Sequence, residues 1–136
     1  MTESNPVGLR TRRIRHFNAR FNGPVYRVIR SGDLPASPGG TLTFEGEGYG
    51  SGVSFFHVHN QPGEGPDLHR HPYSETWVVQ RGTARFTADG DELEAGPGDV
   101  VVVTPDTPHK FKNSGAERLD ILCIHDSPVM IQENLE

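Results

Sequence analysis

The chain has 136 residues and a formal net charge of -5, and its single cysteine, Cys123, excludes a disulfide within the chain. A chain of this length is typical of one domain, and no apolar run approaches the ~18 residues of a membrane span. Residues 1–30 hold seven Arg and one Glu, whereas the rest holds 17 acidic and six basic residues. An acidic body repels a phosphate backbone, and no helix-turn-helix pattern is present, so we expect no nucleic-acid partner. The N-terminus lacks the apolar core of a secretory signal, which predicts a soluble, cytoplasmic protein.

The predicted elements begin after a basic segment. Residues 1–22 mix Arg, Asn, Thr and Ser with few apolar anchors, which predicts an N-terminal arm. From residue 23 onward, short alternating runs are separated by turns rich in Gly and Pro. These runs are TLTFE, VSFFHVH, ETWVVQ, TARFTA, DVVVV, HKFKN and RLDILCI. Their length and their spacing of roughly ten residues predict an all-β domain over residues 23–136, a sandwich or a barrel.

Some of these runs carry a more specific prediction. Asp89-Gly90 is a signal for a tight hairpin. DVVVV has no polar face, which predicts a strand in the middle of a sheet that is covered on both sides. DILCI is apolar on both faces as well, and together these runs offer more apolar surface than one thin barrel can cover. We therefore expect a homodimer, with residues 10–30 adding to the interface.

The stretch PDLHRHPYSETW places two imidazoles and a carboxylate close together. In a strand, residues two apart point to the same face, so His69 and His71 project together while Arg70 points away. A short turn then lets Glu75 open the next strand beside them. Two imidazole nitrogens and a carboxylate suit Fe(II), Mn, Co, Ni, Cu or Zn better than Ca or Mg. The turn before HKFKN offers His109 as a fourth ligand, with Phe111 and Asn113 on the same strand face.

Other residues with suggestive chemistry carry weaker signals. Tyr73, in the turn between two ligands, and Trp77 and Phe111, each two residues beyond a ligand, are candidate walls of a substrate pocket. For Trp77 and Phe111 the alternative is ordinary core packing. His57 and His59 share a strand face but lack a convergent third ligand, so an interface or pocket lining is favoured over a second metal site.

The remaining histidines and the cysteine carry no functional prediction. His16 and His125 lie in no recognisable pattern. Cys123 lies in an apolar strand, where a small buried hydrophobic residue is expected rather than a reactive thiol.

The spacing of these residues resembles that of the cupins. The first cupin motif is met at every position by Gly63, His69, His71, Glu75 and Gly82. The second motif is met by Gly98, His109 and Asn113, with Thr104 in place of its Pro and Asp106 in place of its Gly. Asp is among the few residues other than Gly that tolerate a positive φ, so Asp106 is expected to preserve the turn before His109.

The resemblance implies a double-stranded β-helix, a jelly-roll barrel with one divalent transition metal inside, near one open end. It also implies a small-molecule substrate or ligand. The favoured interpretation is a metal-dependent enzyme with dioxygenase-like chemistry on a small oxygenated metabolite. A cupin isomerase or decarboxylase and a cupin that binds or senses a metabolite without turnover remain alternatives. No residue is predicted as a general acid or base.

Overall fold

The computed structural model describes residues 22–136. Over this range the chain forms ten β-strands and two short 3-10 helices, at Ser31–Asp33 and Gly46–Tyr49. The strands are β1 (Leu42–Phe44), β2 (Ser54–Asn60), β3 (His69–Arg70), β4 (Glu75–Arg81), β5 (Ala84–Ala88), β6 (Asp91–Ala95), β7 (Val100–Val103), β8 (His109–Asn113), β9 (Leu119–His125) and β10 (Glu133–Asn134). The all-β prediction is confirmed.

The strands form two five-stranded antiparallel sheets. Sheet A has the order β1-β2-β9-β4-β7, and sheet B has the order β10-β3-β8-β5-β6. From β3 onward the chain passes repeatedly from one sheet to the other, so that strands distant in sequence become neighbours. This arrangement is the predicted double-stranded β-helix, in which the inward faces of both sheets enclose one interior.

The interior has an apolar end and a polar end. Trp77 stacks on Phe86 with ring centroids 4.6 Å apart, and Leu119 and Ile121 are fully buried beside them. Burying each such side chain contributes roughly 2 kcal/mol to folding. Along the same strands, toward the other end, the inward positions change to His, Glu and Ser. The apolar end therefore supports the backbone that positions the polar end.

Cys123 lies on the inward face of β9 and is buried, as predicted. Burial raises the pKa of its thiol well above the ordinary value, and the nearby carboxylate of Glu75 acts in the same direction. The thiol therefore stays protonated and behaves as a small apolar group.

The hairpin predicted at Asp89-Gly90 joins β5 to β6. Both residues have positive φ, 50° and 83°, as a tight hairpin turn with two left-handed residues requires. Strand β6 itself was not among the predicted runs. Four of its five residues are exposed, and its apolar face consists of Leu93 and Ala95 alone, which is too short for alternation to reveal.

The prediction for DVVVV is wrong. Strand β7 lies at the edge of sheet A and pairs only with β4. Its inward residue Val103 is buried, but Val100 and Val102 on the outer face are 59% and 63% exposed. The absence of a polar face therefore marks an uncovered apolar surface and not a central strand.

The predicted arm over residues 1–22 lies, except for its last residue, outside the described residues, so a domain boundary at residue 23 stays a prediction. Within residues 22–136, no helix has the length and hydropathy that crossing a bilayer requires.

Candidate metal centre

Three strands from two sheets bring the four predicted ligands together. His69 in β3 lies opposite His109, the first residue of β8, in sheet B. His71 follows β3, and Glu75 opens β4 in the facing sheet A. One ligand atom from each residue can be chosen so that all of these atoms lie within 4.8 Å of one another. Each residue is at most 6% exposed, so the cluster is inside the barrel.

Backbone carbonyls fix the orientation of the three imidazole rings. In each ring Nδ1 lies within hydrogen-bond distance of a main-chain oxygen: 2.6 Å from His69 to Asp67, 2.7 Å from His71 to Ile131 and 2.7 Å from His109 to Thr107. A carbonyl only accepts hydrogen bonds, so Nδ1 carries the proton. In the neutral form of each ring, Nε2 therefore keeps a free lone pair, which is the arrangement of metal-binding histidines.

The turn that presents His109 has the geometry expected from its sequence. Asp106 has a φ of 61°, in the left-handed region, and its N–H donates to the carbonyl of His71 at 2.7 Å. Asp106 thus replaces the glycine of the second motif without loss of the turn, as predicted. The same hydrogen bond ties this turn to the strand end that carries His71.

Trp77 holds the carboxylate of Glu75 in place. The indole N–H donates to Oε2 at 2.5 Å, which leaves Oε1 directed at the cluster. Oε1 lies 3.0 Å from Nε2 of His71 and 3.2 Å from Nε2 of His109. Trp77 therefore orients one of the four predicted ligands, as the partners of metal-binding carboxylates commonly do.

The electrostatics of the cluster fit a cation. Because every Nδ1 proton is donated to a carbonyl, Nε2 of His71 and of His109 each direct a lone pair at Oε1 of Glu75. This oxygen can likewise only accept a hydrogen bond. Nε2 of His71 has no hydrogen-bond partner among the described residues. A divalent metal satisfies these acceptors together, because three neutral imidazoles and one carboxylate leave it at net +1.

The pKa values of the cluster also favour metal-binding protonation states. Burial lowers the pKa of His69, so its ring is neutral at neutral pH. Burial alone would raise the pKa of Glu75, but its contacts with the His109 and His71 rings outweigh it and lower the pKa well below the usual range. The carboxylate of Glu75 is therefore ionised and the imidazole of His69 is neutral, and these are the protonation states that bind metal.

A cavity of about 480 Å³ opens beside the cluster. Its walls include apolar side chains from both sheets, Phe56, Val58 and Phe111, and reach His69 and Glu75 at the cluster. A space of this size is within the usual range of small-ligand sites.

The family comparison covers the part of the chain that builds this site. Residues 56–125, more than half of the chain, match the family described as the cupin domain. The chain belongs to the cupin family. Both motifs lie within the matched residues, so the resemblance noted from spacing is confirmed.

The matches between this cupin and individual relatives cover only part of each relative's length. An uncharacterized protein of Methanocaldococcus jannaschii is 37% identical over 62 residues, which is 45% of this chain and 50% of that protein. The oxalate decarboxylase of Lactobacillus farciminis, solved as a formate complex, is 25% identical with a TM-score of 0.68 over 76% of this chain and 34% of that one. Bacillus subtilis oxalate decarboxylase, studied for its Mn(II) centres, is 25% identical with a TM-score of 0.65 over 74% of this chain and 29% of that one. The chain thus spans half or less of each of these relatives, and the neighbours support a divalent metal whose identity stays open.

Outside the cupin motifs, His125 is a residue of the site that the sequence did not reveal. It ends β9 directly opposite Glu75 in the register of sheet A, is 1% exposed and lines the cavity. Its Nε2 lies 3.6 Å from Oε2 of Glu75 and has no hydrogen-bond partner among the described residues. Burial lowers its pKa to about 4, so the ring is neutral at neutral pH. The only signal was its register with Glu75, which no local pattern encodes.

The three candidate wall residues have different positions. Phe111 lines the cavity. Tyr73 and Trp77 are not among the lining residues: Trp77 is fully buried in the core, as its alternative interpretation holds, and orients Glu75. Tyr73 stacks on His71 with centroids 5.1 Å apart, and its hydroxyl lies 2.6 Å from Nδ1 of His125. Both residues therefore contact side chains of the cluster, and neither one lines the cavity.

The other histidine pair of this cupin lies outside the barrel. His57 and His59 project from the outer face of β2, where His57 contacts Gln80 at 2.9 Å and His59 contacts Asp120 at 2.8 Å. Asp120 is itself held by Arg118 at 2.9 Å. This pair contributes nothing to the cavity.

Proposed function

We propose that this cupin is a metal-dependent enzyme that acts on a small oxygenated metabolite, with His69, His71, Glu75 and His109 as the ligands of one divalent transition metal. The observation that carries the proposal is the convergence of three Nε2 lone pairs and one ionised carboxylate oxygen beside a ligand-sized cavity. The candidate metals are Fe, Mn, Co, Ni, Cu and Zn, which accept this mixture of nitrogen and oxygen donors.

The protein's own residues prepare the site for a small polar molecule. Phe56, Val58 and Phe111 give the cavity apolar walls, whereas Asn60 and Gln132 add polar groups to its lining. The bound metal would supply a Lewis acid and, if it is redox-active, a centre for dioxygen chemistry. We favour dioxygenase-like chemistry, since a metal with four protein ligands retains open positions for a substrate and a second molecule.

Decarboxylation is the second candidate reaction, and isomerisation is related to it. The similarity to oxalate decarboxylases, at 25% identity over about three quarters of this chain, supports it. Both reactions use a metal to polarise a carboxylate or carbonyl. The third candidate is a cupin that binds the same metabolite without turnover.

Reconstitution with single metals separates these candidates. Protein from which a chelator has removed the metal is loaded in turn with Fe(II), Mn(II), Ni(II), Cu(II), Co(II) or Zn(II). Oxygen uptake and carbon dioxide release are then measured with small catechols, diketones, 2-oxo acids and oxalate as substrates. Oxygen uptake that requires metal and is absent in His109→Ala supports the dioxygenase. Carbon dioxide release without oxygen uptake supports the decarboxylase. Ligand binding without either product supports the binding protein.

We also propose a homodimer formed through the outer face of sheet A. Val100 and Val102 are exposed on this face, and Val25 and Tyr26, within the segment predicted to add to the interface, are 98% and 86% exposed. Residues 10–21 of that segment lie outside the described residues. The outer face of sheet B instead carries charged side chains such as Arg85 and Lys112. Apolar surface on one sheet only favours a single self-complementary contact.

Sedimentation velocity tests the dimer. The parent is expected at twice the monomer mass of 15.0 kDa, and the double variant with Val100→Glu and Val102→Glu is expected as a monomer. Lys112→Glu, on the other sheet, should stay dimeric. A parent that sediments as a monomer at micromolar concentration contradicts the proposal.

The location of the protein is proposed to be cytoplasmic, since Cys123 is buried and no other cysteine exists to form a disulfide within the chain. Cell fractionation with an antibody against the chain tests this. Recovery in an extracellular or envelope fraction would contradict it.

A further inference from the structure

His125 differs from the three predicted metal ligands in the partner of its Nδ1 atom. In the ligands, Nδ1 faces a backbone carbonyl, which can only accept a proton. In His125, Nδ1 faces the hydroxyl of Tyr73 at 2.6 Å. A hydroxyl can donate or accept, so its other contacts decide the direction of this hydrogen bond.

The contacts of Tyr73 fix that direction. Its oxygen accepts a hydrogen bond from the backbone N–H of Ile131 at 3.1 Å. Nδ1 of His71, 3.4 Å away, already donates its proton to the carbonyl of Ile131. Among the described residues, the one acceptor left for the Tyr73 proton is Nδ1 of His125. The neutral His125 ring must then carry its own proton on Nε2.

This proton has no acceptor within the described part of the chain. Nε2 of His125 is buried and without a partner among those residues. The nearest carboxylate oxygen, Oε2 of Glu75, is 3.6 Å away and already accepts from Trp77 at 2.5 Å. Buried N–H groups are nearly always paired in folded proteins, so an unpaired one that lines a cavity indicates a ligand. His125 lines the same cavity that reaches Glu75 and His69.

We infer that His125 donates from Nε2 to an oxygen of a small carboxylate or enolate bound in this cavity, and that Tyr73 sets the tautomer for this role. The inference rests on the proposed function, because the same anion would be held by the metal beside Glu75. A fifth metal ligand would need a lone pair on Nε2, and the Tyr73 contact places a proton there instead. His125 is therefore a binding residue, and Tyr73 is a positioning residue that acts through it.

The first test reads the tautomer directly. Two-dimensional ¹⁵N–¹H spectra of protein loaded with Zn(II) distinguish a ring protonated on Nδ1 from one protonated on Nε2. The expected result is three rings protonated on Nδ1, those of His69, His71 and His109, and His125 protonated on Nε2. In Tyr73→Phe, the His125 signal should shift or split between the two tautomers. A parent protein in which His125 is protonated on Nδ1 overturns the inference.

The second test measures anion binding with oxalate and formate as probes. Calorimetry on Zn(II)-loaded protein is expected to show oxalate binding that weakens about 10- to 100-fold in His125→Phe, since a hydrogen bond to an anion is lost. His125→Gln, whose amide can donate from a similar position, should retain most of the affinity. His57→Ala, on the outside of the barrel, is the matched control and should bind as the parent does.

Metal content separates this inference from the proposed metal centre. His125→Phe should hold as much zinc as the parent, whereas His109→Ala should not. Loss of zinc in His125→Phe would make His125 a ligand and overturn the inference while leaving the metal centre intact. Zinc retained in His109→Ala would refute the metal centre, while the tautomer of His125 would still be read in the spectra. Absence of oxalate and formate binding by the loaded parent, or equal affinity in His125→Phe, also overturns the role of His125.

Discussion

The protein has two His-x-His pairs, one within β2 and one that begins in β3, and they lie on opposite sides of the barrel wall. His69 and His71 face inward and meet Glu75, with each Nδ1 held by a backbone carbonyl. His57 and His59 face outward, and their nitrogens contact the side chains of Gln80 and Asp120. Spacing makes two imidazoles share a face in both pairs. The two pairs differ in whether their face is enclosed and in which groups hold their rings. Only the inner pair therefore has free Nε2 atoms that converge.

The largest difference between the two pairs is expected in metal content. His71→Ala or His109→Ala removes one of four buried donors and leaves a carboxylate without its cation, so either variant should lose most of its metal. Elemental analysis after metal-replete purification measures this. His57→Ala and Arg70→Ala are the controls, since Arg70 faces away from the cluster and contacts Glu133. Metal content in His109→Ala equal to that of the parent would falsify the assignment.

Chelation should reveal how much the inner cluster stabilises the fold. A metal that binds only the native state adds about 4 kcal/mol when its free concentration is a thousand times Kd. For a domain of this size EDTA should then lower Tm by roughly 10 °C. Scanning calorimetry with and without EDTA measures the shift. His57→Ala should show the same shift as the parent, and an unchanged Tm in the parent would mean that the cluster holds no stabilising ion.

Acid should destabilise the inner side of the barrel even without metal. The pKa of His125 is about 4 in the folded protein, whereas the ordinary value expected for the unfolded chain is 6.5, so between these values the unfolded chain binds more protons. The neutral His125 ring therefore contributes about 3 kcal/mol to the free energy of unfolding above about pH 6.5, and this contribution is lost as pH falls to about 4. The lowered pKa of His69 acts in the same direction.

Urea denaturation of chelated protein at pH 7 and pH 4.5 tests this dependence. The free energy of unfolding should be lower at pH 4.5, and the difference between the two pH values should be smaller in His125→Phe. A parent whose unfolding free energy is equal at both pH values would contradict the assignment.

The smallest expected effect concerns the support of the inner cluster. Trp77→Phe keeps an aromatic ring against Phe86 but removes the N–H that holds Glu75. Loss of such an orienting hydrogen bond commonly weakens metal binding by about 10- to 100-fold. Competition with a chromogenic chelator measures the affinity. Phe86→Leu, which changes the same stack without touching Glu75, should leave affinity close to that of the parent, and equal affinities for all three proteins would show that Trp77 is a core residue only.

Local sequence determined the fold class and the four residues of the cluster. Alternation with a period of two places His69 and His71 on one face, and turn chemistry brings Glu75 and His109 to the starts of their strands. Asp106 was predictable in the same way, because few residues besides Gly adopt its positive φ. These features depend on residues within a few positions of each other, so the chain itself encodes them.

Tertiary structure alone decided the rest. His125 joins the site because β9 pairs with β4 in a register that sets it opposite Glu75, fifty residues away in sequence. Three further outcomes depend on which strands become neighbours. Strand β7 lies at a sheet edge, the indole of Trp77 holds the carboxylate of Glu75, and His57 and His59 lie on the outer face of the barrel. Alternation shows that two side chains share a face. It does not show which face is enclosed or what lies across from it, and long-range strand pairing settles both.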